Sequence, residues 1–187
     1  MEEEINKVCE VLREGKIILY PTDTIWGIGC DATNADAVKR IYAIKKRSDS
    51  KSMLVLLDSS AKLDFYVEDL PEIASDLIAV SDKPLTIIYS GAKNLAPNLI
   101  APDGSIGIRI TNEVFSNNLC RRFRKPLVST SANISGEPSP ANFSEINPEI
   151  LRSVDYVVNY NKEDKQKSKP SGIIRLEKGG VVKIIRE

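Results

Sequence analysis

Short runs of Ile, Val, Leu and Tyr alternate along this chain with segments whose apolar residues recur at helical spacing. That alternation, regular early and strand-rich late, restricts the fold to an α/β class: a twisted mixed sheet with flanking helices. Ile5, Val8, Cys9 and Leu12 share one face of a helix that Gly15 ends, and 16–20 follow as a buried strand closed by Pro21. Asn34 is placed to cap a second helix carrying Val38, Ile41 and Tyr42 on one face. Residues 53–57 read as a strand, and Pro71 opens a third helix through Ile73, Leu77 and Ile78. Strands are expected at 85–89, 105–110 and 127–129, with Phe115, Leu119 and Phe123 marking a helix between the last two. A short helix at 147–154 and a strand at 156–160 precede a polar loop at 161–169. A pair of strands at 172–176 and 181–185 closes around Lys178, Gly179 and Gly180. No internal repeat interrupts the pattern, and 187 residues suit one domain spanning 1–187.

Lysine plus arginine and aspartate plus glutamate both number 26, so any positive site must come from arrangement rather than composition. Three widely spaced cysteines match no zinc spacing and no disulfide framework, which points to a reducing, cytoplasmic setting. The acidic N-terminus lacks the features of a secretory signal, and no stretch approaches the ~20 apolar residues of a membrane span. Histidine is absent altogether. Ser-His-Asp and Cys-His catalysis and His-ligated metals are thereby excluded, leaving substrate positioning, charge stabilisation, or a lysine or carboxylate base.

Four segments hold residue types suited to chemistry. Tyr20-Pro-Thr-Asp-Thr-Ile-Trp-Gly-Ile-Gly29 leaves a buried strand as a loop whose hydroxyls and glycines suit a backbone-lined ligand site, or an ordinary turn. Lys45-Lys-Arg-Ser-Asp-Ser-Lys51 suits a polyphosphate, although a charge run of this length also suits a solvated face; no Walker loop occurs. In Pro126-Leu-Val-Ser-Thr-Ser-Ala-Asn-Ile-Ser-Gly-Glu-Pro-Ser-Pro140 an apolar strand feeds a cluster of hydroxyls and one amide. In 105–110, Arg109 alternates with Ile108 and Ile110 and so faces the other side of the sheet.

Taken in order, Pro21 to Gly29, Lys45-Lys-Arg47, Ile108-Arg109 and Ser131 to Gly136 resemble the YrdC-type threonylcarbamoyl-AMP synthase family across essentially the whole chain. Trp26 stands where the family commonly has tyrosine, Ser48 replaces a usual proline, and Leu56 occupies a position where longer relatives carry a histidine. The resemblance implies a YrdC-like sheet around a concave basic cleft. It also implies that Thr24, Arg109, Ser131 and Ser171 hold L-threonine. Lys45, Arg47, Lys51, Ser105, Asn133, Ser139, Ala141 and Arg186 would hold ATP, with Lys45 and Arg47 catalytic at its phosphates.

The implied reaction takes L-threonine, bicarbonate and ATP to threonylcarbamoyl-AMP and pyrophosphate, with Mg2+ carried by the ATP phosphates and no protein metal ligand. The product would pass to a tRNA threonylcarbamoyl transferase complex. Two other readings stay open at this level: a YciO-like paralogue, whose reaction is less well defined, and a non-catalytic module binding RNA through the same cleft. The polar segment 161–169 is a candidate lid over the site.

Overall fold

The computed structural model of the chain describes residues 1–46 and 53–187. Helix α1 (Glu2–Arg13) leads into β1 (Ile18–Tyr20) and β2 (Gly27–Gly29), followed by α2 (Ala35–Ile44) and β3 (Leu54–Leu57). The short helices α3 (Leu63–Tyr66) and α4 (Ile73–Ala79) precede β4 (Leu85–Tyr89), β5 (Ile106–Ile110), α5 (Val114–Phe123) and β6 (Leu127–Ser131). The chain closes with α6 (Pro148–Ser153), β7 (Tyr156–Val157), β8 (Gly172–Leu176) and β9 (Val182–Arg186). These strands form one mixed sheet in the order β7-β1-β2-β6-β3-β5-β4-β8-β9. The β3–β5, β4–β8 and β1–β7 pairs are parallel, and the other named pairs antiparallel. Among the described residues no helix is long and apolar enough to cross a membrane, and all three cysteines are buried free thiols.

Local signals explain most element ends. Asn34 caps α2 by accepting a hydrogen bond from Ala37 N at 3.1 Å. Glu113 caps α5 by accepting from Phe115 N and Ser116 N, and Asn147 caps α6 by accepting from Glu149 N. Two differences from the sequence reading bear on the site. The loop read through Gly29 ends early, because Gly27–Gly29 pair with both β1 and β6 as a strand. Likewise β6 runs on through the hydroxyl residues to Ser131, since β2 supplies a partner for Thr130 and Ser131. Residue 28 alone is apolar among 27–29, so side-chain periodicity carries little of this information.

The sheet separates two layers. Val55, Leu57, Ile87, Ile106, Ile108 and Val128 point to a core covered by α2, whose Val38 and Ile41 are fully buried there, with α6 contributing Ile150. On the opposite face α1 and α5 cover only one end, packing Leu12, Phe115 and Leu119 against Ile18, Tyr20, Leu56 and Leu127. Among the described residues no helix covers the remainder of that face, where Leu54, Gly107, Thr86 and Ile88 form a floor. Strand alternation therefore gives β3, β4 and β5 a dry side and a cleft side.

Candidate functional site

That open half of the sheet is a cavity of about 600 Å³, well inside the range of roughly 300–1,000 Å³ typical of small-molecule sites. Gly107 keeps its floor low: an added Cβ would sit 3.3 Å from Thr86 Cγ2 and 3.4 Å from Leu54 Cβ. Trp26 forms a wall, buried and braced by Phe143 with ring centroids 4.8 Å apart. The glycines around it serve packing as much as ligand approach. At Gly29 a Cβ would lie 2.5 Å from the Tyr20 ring and 2.6 Å from Val128 O. The ring crosses the main chain there, and its hydroxyl donates to Val128 O at 3.0 Å.

Arg109 projects from β5 onto the cleft side and is only 3% exposed. Its Nε lies 3.0 Å from Asp23 Oδ1, and its Nη2 donates to Thr24 Oγ1 at 3.3 Å. The Asp23 contact is ionic rather than a directed hydrogen bond, since both atoms lack an aligned partner among the described residues. Thr22 spends its one hydroxyl proton on Ile25 O at 2.8 Å, so Thr24 is the donor in the 3.1 Å contact between the two hydroxyls. Arg109, Thr24, Thr22 and Ile25 O thus form one directed chain. Burial raises the Asp23 carboxyl above its ordinary value, and the adjacent Arg109 charge opposes that shift.

Across the cleft, Ser171 is buried and its hydroxyl shares a 2.8 Å bond with Thr86 Oγ1. Arg186 reaches back from β9 to donate to Ser171 O through Nε at 3.0 Å and Nη2 at 2.8 Å. Its guanidinium holds its proton less tightly than usual, through burial first and the facing charge of Arg109 second. Ser105 donates to Asp103 Oδ1 at 2.5 Å, and Arg175 Nη2 donates to Asp103 Oδ2 at 2.7 Å. These contacts hold the Asp103 carboxyl down at about 2. Arg109, Arg175 and Arg186 all line the cleft, but the first two are already paired with carboxylates.

The structure thus brings Thr24, Ser105, Arg109, Ser131, Ser139, Ser171 and Arg186 to one cleft. Asn133 lies beside it rather than in its lining, donating to Glu137 O at 2.6 Å. Ala141 borders a smaller neighbouring hollow with Thr22 and Ser168. Lys45 is 2% exposed, and its ammonium donates to Ser131 O at 2.6 Å, Asn133 O at 2.8 Å and Asn133 Oδ1 at 3.2 Å. It clamps the Ser-Ala-Asn segment to the end of α2. Arg47 and Lys51 lie outside the described residues. Leu56 is buried under α5.

Asp23, Thr86, Asp103 and Arg175 went unselected in the sequence reading. The signal for Asp23 was its place between two threonines, but its partner is on a strand far along the chain. Nothing in sequence marks Thr86 or Arg175, which reach the cleft because β4 pairs with β5 on one side and with β8 on the other.

Comparison with known proteins bears on family and fold. The family model for Sua5, YciO and YrdC, described as "Telomere recombination", matches residues 10–187. A Pseudoalteromonas translucida protein named threonylcarbamoyl-AMP synthase is 35% identical over 79% of this chain and 81% of its own length. The fold superposes on Escherichia coli YciO with a TM-score of 0.86 at 24% identity, covering 100% of this chain and 90% of that one. It also superposes on P. abyssi Sua5 complexed with L-threonine, with a TM-score of 0.86 at 24% identity over 97% of this chain. The chain spans about half of that Sua5 (54%). An uncovered sheet face with an arginine at its floor, the four motifs in order, and the match over most of the sequence lead to one conclusion: the chain belongs to the Sua5/YciO/YrdC family.

Proposed function

We propose that this chain makes threonylcarbamoyl-AMP and pyrophosphate from L-threonine, bicarbonate or carbon dioxide, and ATP. The carrying observation is a single cleft that sets a buried arginine among serine and threonine hydroxyls, in a chain without histidine. Similarity to relatives named threonylcarbamoyl-AMP synthase supports the reading.

In this proposal Arg109 binds the threonine carboxylate, with Thr24, Ser131 and Ser171 offering hydroxyls to the rest of the amino acid. The threonine ammonium gives up two protons to solvent as its nitrogen bonds to the carbon of carbon dioxide, giving a carbamate. A carbamate oxygen then attacks the α-phosphorus of ATP, the bond to the β-phosphate oxygen breaks, and pyrophosphate leaves. Ser105, Ser139, Asn133, Ala141 and Arg186 form the nucleotide side, and Arg47 and Lys51 are assigned to the phosphates. Lys45 contributes by holding the loop that carries Ser131 and Asn133 in place.

Among the described residues no group of three or more His, Cys, Asp or Glu gathers to hold a metal. A magnesium ion arriving with ATP fits this donor set, since it takes phosphate and water oxygens. When bound, it supplies neutralisation of phosphate charge. Residues 161–169 are the proposed lid, tied down by Ser168 N donating to Ala141 O at 3.2 Å and by Lys162 above Phe143. The product would serve a separate tRNA threonylcarbamoyl transferase complex in the cytoplasm, with contact to tRNA at that stage.

The test is pyrophosphate release by purified protein with ATP, magnesium and bicarbonate, with and without L-threonine. Release that requires threonine and is lost in folded Asn133→Ala protein supports the synthase. ATP binding without release favours a YciO-like reaction on the same fold. Failure to bind ATP, with retained RNA binding, favours the RNA module.

A further inference from the structure

We propose that Asp23 is a positioning residue: it fixes the Arg109 guanidinium through Nε and so presents the terminal nitrogens to a carboxylate ligand in the cleft. The inference deepens the synthase reading, on which the identity of that ligand rests. Asp23 does not line the cleft, whereas its two neighbours in the relay, Thr24 and Arg109, do. Its side chain is 9% exposed and that of Arg109 is 3% exposed, so water screens the pair little.

A buried guanidinium without a partner would be costly, and an unanchored one would be free to swing among the cleft's hydroxyls. Asp23 meets Nε at 3.0 Å and Thr24 takes one proton of Nη2 at 3.3 Å. Three of the five guanidinium protons are then unassigned by these contacts: both on Nη1 and the second on Nη2. These two nitrogens form the fork that grips a carboxylate through parallel bonds. The Asp23 contact is buried yet poorly aligned, so the guanidinium retains hydrogen-bonding capacity for a ligand rather than being saturated by its own protein.

Charge balance points the same way. Arg186 faces Arg109 across the cleft, and Glu113 at the start of α5 adds a negative field at Asp23. With Asp23 ionised, the Arg109 pair is neutral and Arg186 supplies the net positive charge that draws an anion. Without it, the Arg109 guanidinium would keep only its Thr24 contact and lose the charge that sets its orientation.

The test compares Asp23→Asn, which keeps shape and removes charge, with the conservative Asp23→Glu. Asp23→Asn is expected to raise the KM for L-threonine roughly 10- to 100-fold, the equivalent of one charged hydrogen bond. The KM for ATP should stay within about 2-fold, and Asp23→Glu should recover most of the loss. A change of both KM values together, or none, overturns the proposal.

A second measurement needs no turnover. In the wild-type protein the 15N resonance of Arg109 Nε, identified by its absence from Arg109→Lys, should be resolved and slow to exchange its proton. It should shift or broaden as pH falls through the raised Asp23 titration, with Arg109, Glu113, Tyr20 and Cys120 as the charged and titratable groups facing that carboxyl. A resonance indifferent to both pH and Asp23→Asn overturns the positioning role even if the enzyme proves active. A responsive resonance in a protein that releases no pyrophosphate keeps the role and removes the synthase reading alone.

Discussion

Replacing Lys45 with methionine separates two roles for that side chain. Methionine keeps an unbranched side chain, one atom shorter, but has no donor, so Ser131 O and Asn133 O lose a charged partner at 2.6 and 2.8 Å. Each buried carbonyl left without a partner costs about 1–3 kcal/mol. Against this, the variant no longer has to bury an ammonium, an effect worth several kcal/mol in the opposite direction. Breaking one side of a buried polar cluster nonetheless destabilises on balance, by about 3 kcal/mol here. For a chain of this size that lowers Tm by about 6–12 °C, at roughly 2–4 °C per kcal/mol. Urea unfolding followed by circular dichroism checks the number. The 131–137 segment should also lose amide protection first, because only the Ser135 N bond to the Lys45 carbonyl, at 2.9 Å, then remains to tie the turn to the end of α2. An unchanged urea midpoint together with lost pyrophosphate release would refute the clamp and put the ammonium on the ATP phosphates instead.

Further outcomes follow from particular contacts. Gly29→Ala forces a methyl to 2.5 Å from the Tyr20 ring and 2.6 Å from a backbone carbonyl, and should cost about 3 kcal/mol in urea unfolding. Asp103 titrates at about 2 in the folded protein, below the ordinary aspartate value of 3.8. Its contribution to stability is therefore present above pH 3.8 and lost as pH falls through about 2. Because half of that side chain is exposed, the contribution is under about 1 kcal/mol and should shrink with added salt. Asp103→Asn should flatten that part of the acid unfolding curve. Hydrogen exchange at 161–169 should slow when ATP and L-threonine are both added; exchange that stays the same removes the lid.

Much of the fold was legible because burial in an α/β sheet imposes periodicity. The α1 face of Ile5, Val8, Cys9 and Leu12, the Asn34 cap and the strands at β4 and β5 follow from local pattern and capping chemistry. β2 was not legible, since Gly-Ile-Gly has almost no side-chain signal and exists as a strand only between two partners. The same held for α3, a single turn of helix with no periodic stretch to announce it.

The site divides along similar lines. The amino-acid sequence by itself determined the inventory: hydroxyl-rich motifs, an arginine alternating within a strand, and no histidine to act as a base. Those are properties of residue type and spacing, which need no knowledge of distant neighbours. Only the tertiary structure decided that Arg109 meets Asp23, that Lys45 turns inward onto Ser131 and Asn133, and that Arg175 and Thr86 reach the cleft. Ionic and hydrogen-bond partners are chosen by distances of a few ångströms. In a sheet that sets β6 between β2 and β3 and β8 beside β4, those distances are set by strand order and by which half of a face the helices leave bare.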